Sequence, residues 1–271
     1  MKITNKKLEK PNFLIAGAPR SGTGYVYHIL DVHPDIYMAK PEKPEPKFFL
    51  VDEEYNKGIE YYLEKYFSNV VGKKAIGEKS TNYMENEFVP ERIKRHLPEI
   101  KIIFLLRNPI DRAFSNYLWS KKNGLETLSF DDALINEKER NLKLENKYKY
   151  SMPFSYIYRG FYAKFIKRYL EHFNRNQILF LLYDDLLVDP KIIVGKLYQF
   201  LSVYQLIPKM DLNVRVNLAN DGKYKMSNFA YNYLKEIYRQ PNEELSKLID
   251  LDIGDWNNEN NLQRIISNVG A

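Results

Sequence analysis

A chain of 271 residues is long enough to bury a full hydrophobic core, and we expect residues 1–271 to form a single domain with a loose lead-in over residues 1–10. The net charge of +6 favours anionic ligands, but the basic residues are too few and too dispersed to indicate a nucleic-acid-binding protein. Because cysteine is absent, disulfides, thiolate metal sites and cysteine nucleophiles are excluded. No apolar run approaches the ~20 residues of a membrane span, so we expect a cytoplasmic protein.

Apolar patterning along the chain predicts strands that alternate with helices. The predicted strands are 13–16, 36–39, 75–77, 101–106 and 178–183, and the predicted helices include 25–30, 55–67, 90–97, 130–144, 161–173 and 228–251. The uninterrupted apolar run 101–106 is typical of a central strand that is buried on both faces. The highly charged segment 137–150 is expected to be exposed and mobile. This order predicts an α/β fold with a central, mostly parallel sheet flanked by helices.

A glycine-rich loop, Gly17-Ala18-Pro19-Arg20-Ser21-Gly22-Thr23-Gly24, connects the first strand to the first helix. Such a junction directs backbone N–H groups and the positive helix end towards one point, where an anion can bind. Gly17 and Gly22 have the spacing of a Walker A loop, but Thr23 occupies the position of the Walker lysine. The basic residue is instead Arg20. Alone, the loop is as consistent with an ordinary tight turn as with a phosphate site.

A second anion site is predicted where the strand 101–106 ends in Arg107-Asn108-Pro109. Asn108 can cap the next helix, with Pro109 as its first residue, and Ser115 then lies on that helix. An arginine fork with a hydroxyl is suited to a phosphate group. We interpret Arg112 as an ordinary surface salt-bridge partner.

Two further segments carry candidate reactive groups. Lys79 and Ser80 follow the strand 75–77, at the strand end where open α/β sheets bind ligands. Glu45 lies in a proline-rich loop, shortly before Phe48 and Phe49. This loop forms either a rigid polar corner or a solvated loop whose phenylalanines enter the core, and the local sequence favours the second interpretation.

The two anion sites together resemble the phosphosulfate-binding motifs of the sulfotransferases that use 3′-phosphoadenosine 5′-phosphosulfate (PAPS). The first family motif, Pro-Lys/Arg-x-Gly-Thr, is matched by Pro19-Arg20-Ser21-Gly22-Thr23. The second, Arg-Asp/Asn-Pro followed by a serine on the next helix, is matched by Arg107-Asn108-Pro109 and Ser115. The presence of both motifs in this order, each after a strand, is more specific than either alone.

The resemblance implies a P-loop-containing nucleotide-binding fold, PAPS as co-substrate and no metal. It implies that Arg20 contacts the bridging oxygen of the phosphosulfate, and that Arg107 and Ser115 hold the 3′-phosphate. Gly222 and Lys223 stand where the family has its nucleotide-covering loop. The full set of residues expected to bind PAPS is Arg20, Ser21, Gly22, Thr23, Gly24, Tyr25, Arg107, Ser115, Gly222 and Lys223.

The resemblance is strongest to the branch that includes glycosaminoglycan sulfotransferases and many bacterial enzymes. That branch often carries Glu-x-His-Phe-Phe, which is matched by Glu45-Pro46-Lys47-Phe48-Phe49 with Lys47 in place of the histidine. It also carries Glu-Lys-Ser/Thr, which is matched by Glu78-Lys79-Ser80. The resemblance therefore implies in-line sulfuryl transfer to an acceptor hydroxyl, or less favourably an amine, of a carbohydrate. Glu45 would be the base, with Glu78 as the next candidate, and Arg20 and Lys79 would be catalytic cations.

Two alternatives remain open from the sequence. A P-loop kinase or nucleotide hydrolase would bind ATP with magnesium, but the missing Walker lysine argues against it. A non-catalytic nucleotide-binding protein would keep Arg107 and Ser115 but would not need the pair Glu45 and Lys79.

Overall fold

A computed structural model describes residues 8–212 and 224–258, so Gly222 and Lys223 lie outside the described residues. The described chain divides into two compact units. The first contains residues 8–18, 22–106 and 170–212, and the second contains residues 19–21, 107–169 and 224–258. Within the described ranges, no helix combines the length and apolar character needed to cross a membrane.

The first unit is built on a five-stranded sheet with the strand order β2-β3-β1-β4-β5. Its strands are β1 (Phe13–Gly17), β2 (Ile36–Met38), β3 (Ala75–Lys79), β4 (Lys101–Leu106) and β5 (Ile178–Leu182). Every neighbouring pair is parallel. In register, Ile15 lies opposite both Lys79 and Ile103, so the carboxyl ends of these strands share one edge of the sheet. The sheet confirms the predicted α/β class.

The described helices, in chain order, are α1 (Thr23–Asp31), α2 (Asp52–Tyr55), α3 (Ile59–Phe67), α4 (Val89–His96), α5 (Pro109–Lys122), α6 (Phe130–Ile135), α7 (Glu137–Leu142), α8 (Tyr162–His172), α9 (Tyr183–Val188), α10 (Pro190–Leu201) and α11 (Asn228–Ile249). In the first unit, apolar residues of α1 and α10, such as Val26 and Leu197, pack with Ile15 and Ile103 of the sheet into one buried cluster. Burial of these faces is the main stabilising contribution to this unit.

Two predicted helices have other bounds in the structure. The predicted helix 55–67 begins only at Ile59, as α3, because Gly58 before it adopts a φ of 87°, which is incompatible with a right-handed helix. Tyr55 is the last residue of α2. The predicted helix 130–144 becomes α6 and α7. Asn136 separates them, and its side-chain amide donates to the carbonyl of Asp132 in the last turn of α6.

The second unit has an apolar cluster in which α11 packs against α5 and α6, with Phe114, Phe130 and Tyr238 among its buried members. The predicted start of α5 is confirmed, since Asn108 Oδ1 accepts the N–H of Ile110 at 3.0 Å and Pro109 is the first helical residue.

Two charged residues of this unit are buried where the sequence predicted exposure. Arg112 is 0% exposed and donates to the carbonyl of Tyr156, so its interpretation as a surface salt-bridge partner is wrong. Glu137 is also buried, and its carboxylate accepts the N–H groups of Ile157 and Tyr158 at 2.6 and 2.9 Å. Burial raises the pKa of Glu137 above its usual value. The expectation of an exposed segment 137–150 is therefore wrong at its first residue.

Candidate active site

The glycine-rich loop forms the predicted connection between β1 and α1. Gly22 adopts a φ of 89°, and a Cβ atom at this position would come within 3.0 Å of the Tyr183 ring, so both backbone and space require glycine. Thr23 and Gly24 are the first residues of α1. The N–H groups of a first helical turn have no acceptor within the helix and carry partial positive charge. This helix start therefore retains the anion-binding character that the sequence predicted.

Tyr25, which we expected to bind the nucleotide, is a core residue. Its hydroxyl donates to the carbonyl of Leu212 at 2.6 Å, and its N–H donates to the carbonyl of Gly22 at 3.0 Å. Burial is the main cause that raises the pKa of Tyr25 to about 12. The hydroxyl and the N–H of Tyr25 are thus engaged within the protein, where they hold the start of α1 in position.

In the second unit, the basic residues of the two anion-binding motifs lie together. Arg20 Nε donates to Ser115 Oγ at 3.4 Å across a separation of 95 residues, and Arg107 Nη1 donates to the carbonyl of Arg20 at 3.4 Å. We call Arg20, Arg107 and Ser115 the guanidinium cluster. Two arginines from separate loops that lie this close attract an anion, because a bound negative charge offsets the repulsion between their guanidinium groups.

Tyr162 supports the guanidinium cluster from the core of the second unit. Its hydroxyl donates to the carbonyl of Arg107 at 2.9 Å, while its ring is buried. Burial raises the pKa of Tyr162 to about 12, so the hydroxyl remains a donor at neutral pH. The sequence did not connect Tyr162 to Arg107, because the two residues lie 55 positions apart.

In the first unit, Glu45 forms an ion pair with the buried Lys79. Lys79 is 5% exposed, and its Nζ lies 2.9 Å from Glu45 Oε1. The other oxygen of Glu45 accepts the backbone N–H of Thr81 at 3.1 Å, and the Thr81 hydroxyl donates to the same oxygen at 3.2 Å. Thr81 begins the short 3-10 turn that follows β3. Glu45 is thus held at the carboxyl end of β3, where the sequence predicted Lys79 to act.

A second carboxylate, which no sequence motif indicated, lies beside Lys79. Glu42 Oε1 lies 3.3 Å from Lys79 Nζ, and Glu42 Oε2 lies 3.4 Å from His28 Nε2. The available signal was the position of Glu42 in the same loop, three residues before Glu45. We call Glu42, Glu45, Lys79 and Thr81 the carboxylate–lysine cluster.

The loop that carries Glu45 is attached to the core by its two phenylalanines. Phe48 and Phe49 are buried, and Phe48 stacks on the ring of Tyr62 with ring centroids 4.5 Å apart. Lys47, which stands in place of the family histidine, has a φ of 50°. The loop therefore combines both interpretations, because its phenylalanines enter the core and its polar side chains form a fixed corner.

Glu78, the alternative base, is 0% exposed. Its carboxylate accepts hydrogen bonds from three hydroxyl groups, those of Ser80, Tyr83 and Tyr62. Burial raises the pKa of Glu78 to about 7. The Glu78 carboxylate is thus enclosed by the protein, whereas the Glu45 side chain is 14% exposed.

Comparison with known proteins gives one consistent family. The sequence model described as "Sulfotransferase domain" matches residues 10–263. The bifunctional heparan sulfate N-deacetylase/N-sulfotransferase 1 of Xenopus laevis is 29% identical over 267 residues, which cover 88% of this chain and 30% of that protein. The human heparan sulfate glucosamine 3-O-sulfotransferase 3B1 is 28% identical over 197 residues, which cover 73% of this chain and 47% of that protein. The chain therefore spans less than half the length of these relatives.

A solved structure extends the similarity to the fold. The crystal structure of a sulfotransferase from Alicyclobacillus acidocaldarius superposes with a TM-score of 0.79 at 30% sequence identity. The match covers 92% of this chain and 100% of that chain. The family resemblance and the nucleotide-binding fold that the two motifs implied are both confirmed.

Proposed function

The chain belongs to the sulfotransferase domain family, and we propose that it transfers the sulfuryl group of PAPS to a hydroxyl of a carbohydrate acceptor with Glu45 as the base. The observation that carries this proposal is the contact of 2.9 Å between Lys79 and Glu45 at the carboxyl end of β3. A cation beside a potential base suits a reaction in which a proton is removed from a nucleophile while an anionic group is transferred.

The donor groups of the chain would bind the two anionic ends of PAPS, which supplies the activated sulfuryl group. Arg107 and Ser115 offer a guanidinium and a hydroxyl to the 3′-phosphate. The first turn of α1, which begins at Thr23, offers backbone N–H groups to the 5′-phosphosulfate. Arg20 would contact the oxygen that bridges phosphorus and sulfur. These assignments follow the family motifs, and the hydrogen bond between Arg20 and Ser115 supports them, since it joins both motifs.

The proposed step is an in-line displacement at sulfur. The acceptor hydroxyl gives its proton to a Glu45 oxygen and forms the new oxygen–sulfur bond. The bond between sulfur and the bridging oxygen breaks, and its electron pair stays on the phosphate of the product adenosine 3′,5′-bisphosphate (PAP). Arg20 would neutralise the charge that develops on that oxygen. Positioning accounts for much of the rate in such transfers.

Lys79 would have two roles in the transfer. Together with the N–H and the hydroxyl of Thr81, its ammonium group fixes the Glu45 carboxylate, and the acceptor proton would go to the Oε1 lone pair that these contacts leave. The same positive charge would stabilise the sulfuryl oxygens during transfer. Glu42 forms a second ion pair with the Lys79 ammonium group, and this contact limits the orientation of the Lys79 side chain.

A carbohydrate acceptor is supported by the relatives whose names specify heparan sulfate. A mass-spectrometric screen tests it directly. The purified chain and PAPS are incubated with glucosamine-containing oligosaccharides in N-acetylated and free-amine forms, and with a phenol and a long-chain alcohol as controls. We expect the N-acetylated oligosaccharide to gain one sulfuryl group as PAP appears. Transfer to the phenol or the alcohol alone would overturn the carbohydrate assignment. Transfer only to the free-amine oligosaccharide would show that the acceptor group is an amine and not a hydroxyl.

A further inference from the structure

Glu78 is a fully buried carboxylate for which the reaction described above has no use. Its Oε2 accepts the Ser80 hydroxyl at 2.7 Å, and its Oε1 accepts the hydroxyls of Tyr83 at 2.8 Å and of Tyr62 at 3.3 Å. Burial of an ionisable group without a compensating role is costly, even when hydroxyl groups offset part of that cost. Glu78 therefore calls for an explanation beyond packing.

Two of the three hydroxyls also contact the loop that carries Glu45. The backbone N–H of Lys47 donates to Ser80 Oγ at 2.8 Å, and the backbone N–H of Phe49 donates to the Tyr83 hydroxyl at 3.2 Å. Each hydroxyl thus accepts from the loop and donates to Glu78. A hydroxyl has one proton to donate, and a carboxylate that accepts it leaves the hydroxyl oxygen oriented as an acceptor.

We propose that Glu78 is a positioning residue, which orients the hydroxyls of Ser80 and Tyr83 so that they hold the loop of Glu45 at Lys47 and Phe49. This inference rests on the proposed role of Glu45 as the base. Glu45 lies two residues before the first of these attachment points, and its carboxylate must remain within hydrogen-bonding distance of the acceptor hydroxyl. A displacement of about 1 Å can lower a rate by up to about 100-fold.

The third hydroxyl provides a matched control. Tyr62 donates to the same Glu78 oxygen as Tyr83, but it makes no hydrogen bond to the backbone of the loop. Both tyrosine rings are buried, and a phenylalanine at either position keeps the ring. Tyr62→Phe and Tyr83→Phe therefore each remove one hydroxyl that donates to Glu78. Only Tyr83→Phe also removes the acceptor of a backbone N–H group of the loop, that of Phe49.

Steady-state kinetics with PAPS is the first measurement. We expect Tyr83→Phe and Glu78→Gln to lower kcat by about ten-fold or more, with KM for PAPS and Kd for PAP within two-fold of the wild type. Tyr62→Phe should keep kcat within about two-fold. An equal loss of kcat in Tyr62→Phe and Tyr83→Phe, or an unchanged kcat in Glu78→Gln, would overturn the proposal.

Hydrogen–deuterium exchange of the segment 45–50 is the second measurement, and it needs no reaction. The Phe49 amide should exchange at least about ten-fold faster in Glu78→Gln and Tyr83→Phe than in Tyr62→Phe, because its acceptor is reoriented or lost. The Lys47 amide should exchange faster in Glu78→Gln, because its acceptor Ser80 loses the carboxylate that orients it. Equal exchange in all three variants would contradict the positioning role. If the wild type failed to transfer sulfuryl groups, the exchange rates would still test the positioning role of Glu78. Failure of the proposed function and failure of this inference are therefore distinguishable.

Discussion

The side chain of Arg20 donates from Nε to Ser115 Oγ at 3.4 Å, which joins the first anion-binding motif of the chain to the second. Arg107 contacts the same stretch through the carbonyl of Arg20. The residues that would bind the two phosphate-bearing ends of one nucleotide are thus coupled by hydrogen bonds within the protein. Such preorganisation lowers the entropic cost of binding, because the side chains do not have to be ordered by the ligand.

Arg107→Ala should selectively weaken the recognition of a 3′-phosphate. We expect PAP to bind the wild type much better than AMP, and the variant to lose about ten-fold or more of its affinity for PAP, since a charge-assisted hydrogen bond contributes roughly 1.5–3 kcal/mol. Calorimetry with both nucleotides measures this difference. Arg95→Ala is the control, because Arg95 is an exposed arginine paired with Glu91. Equal affinity of the wild type for PAP and AMP would contradict the assignment of Arg107 to the 3′-phosphate.

Lys79→Gln should impair transfer more than nucleotide binding. The variant keeps a hydrogen-bond donor near Glu45 but removes the charge at the sulfuryl group, so we expect kcat to fall by about 100-fold. The affinity for PAP should stay within about two-fold, because PAP has no sulfuryl group. Lys74→Gln serves as the control, since Lys74 is also ion-paired with a carboxylate, Asp35, at the surface. A main effect of Lys79→Gln on PAP affinity would assign Lys79 to the nucleotide instead.

Turnover should persist in EDTA. Thr23 stands where a Walker lysine would be, and the proposed charge stabilisation comes from Arg20 and Lys79 instead of a magnesium ion. We expect kcat in EDTA to remain within about two-fold of its value with added magnesium. Loss of activity in EDTA that magnesium restores would favour the kinase or hydrolase alternative.

Glu78 should make the chain less stable as the pH rises from about 5 to about 7. Its pKa is raised to about 7, so in this window the folded chain keeps a proton that the unfolded chain has released. Raising the pH removes that proton, and the free energy of unfolding falls by up to roughly 3 kcal/mol before it levels off. Glu78→Gln cannot titrate and should lack this decline.

Urea unfolding of the wild type, Glu78→Gln and the surface variant Glu91→Gln, at pH 5 and pH 8, measures this effect. Glu91 is an exposed helical carboxylate, so its variant should follow the wild type. A Glu78→Gln variant that declines as steeply as the wild type would show that other groups cause the pH dependence.

The sequence predicted the sheet well because its strands are short, continuous apolar runs that end in polar motifs. The run that became β4 is buried from Ile102 to Leu106, as its composition indicated. The same patterning fails at Arg112, whose partner Tyr156 lies 44 residues away and gives no local signal. A charged residue on a predicted helix is normally exposed, and only its tertiary contacts identified this exception.

The candidate site was predictable where residues lie in motifs and unpredictable where contacts are non-local. Glu45 and Lys79 were identified from two separate motifs, and they form an ion pair. Glu42 was missed because it belongs to no motif, although it contacts the same lysine. The network of hydroxyls around Glu78 was missed as well, since side chains that surround a buried group are brought together only by folding.

The most direct test of the account is the turnover of Glu45→Gln with PAPS and the acceptor identified in the screen. Glutamine keeps the size of the side chain and removes the proton acceptor, so kcat should fall by about 100- to 10,000-fold, while Kd for PAP stays within about two-fold. Glu42→Gln, which alters the second carboxylate beside Lys79, is the matched control and should lose much less. A Glu45→Gln variant that retains more than about a tenth of the wild-type kcat, or that mainly loses PAP affinity, would contradict Glu45 as the base.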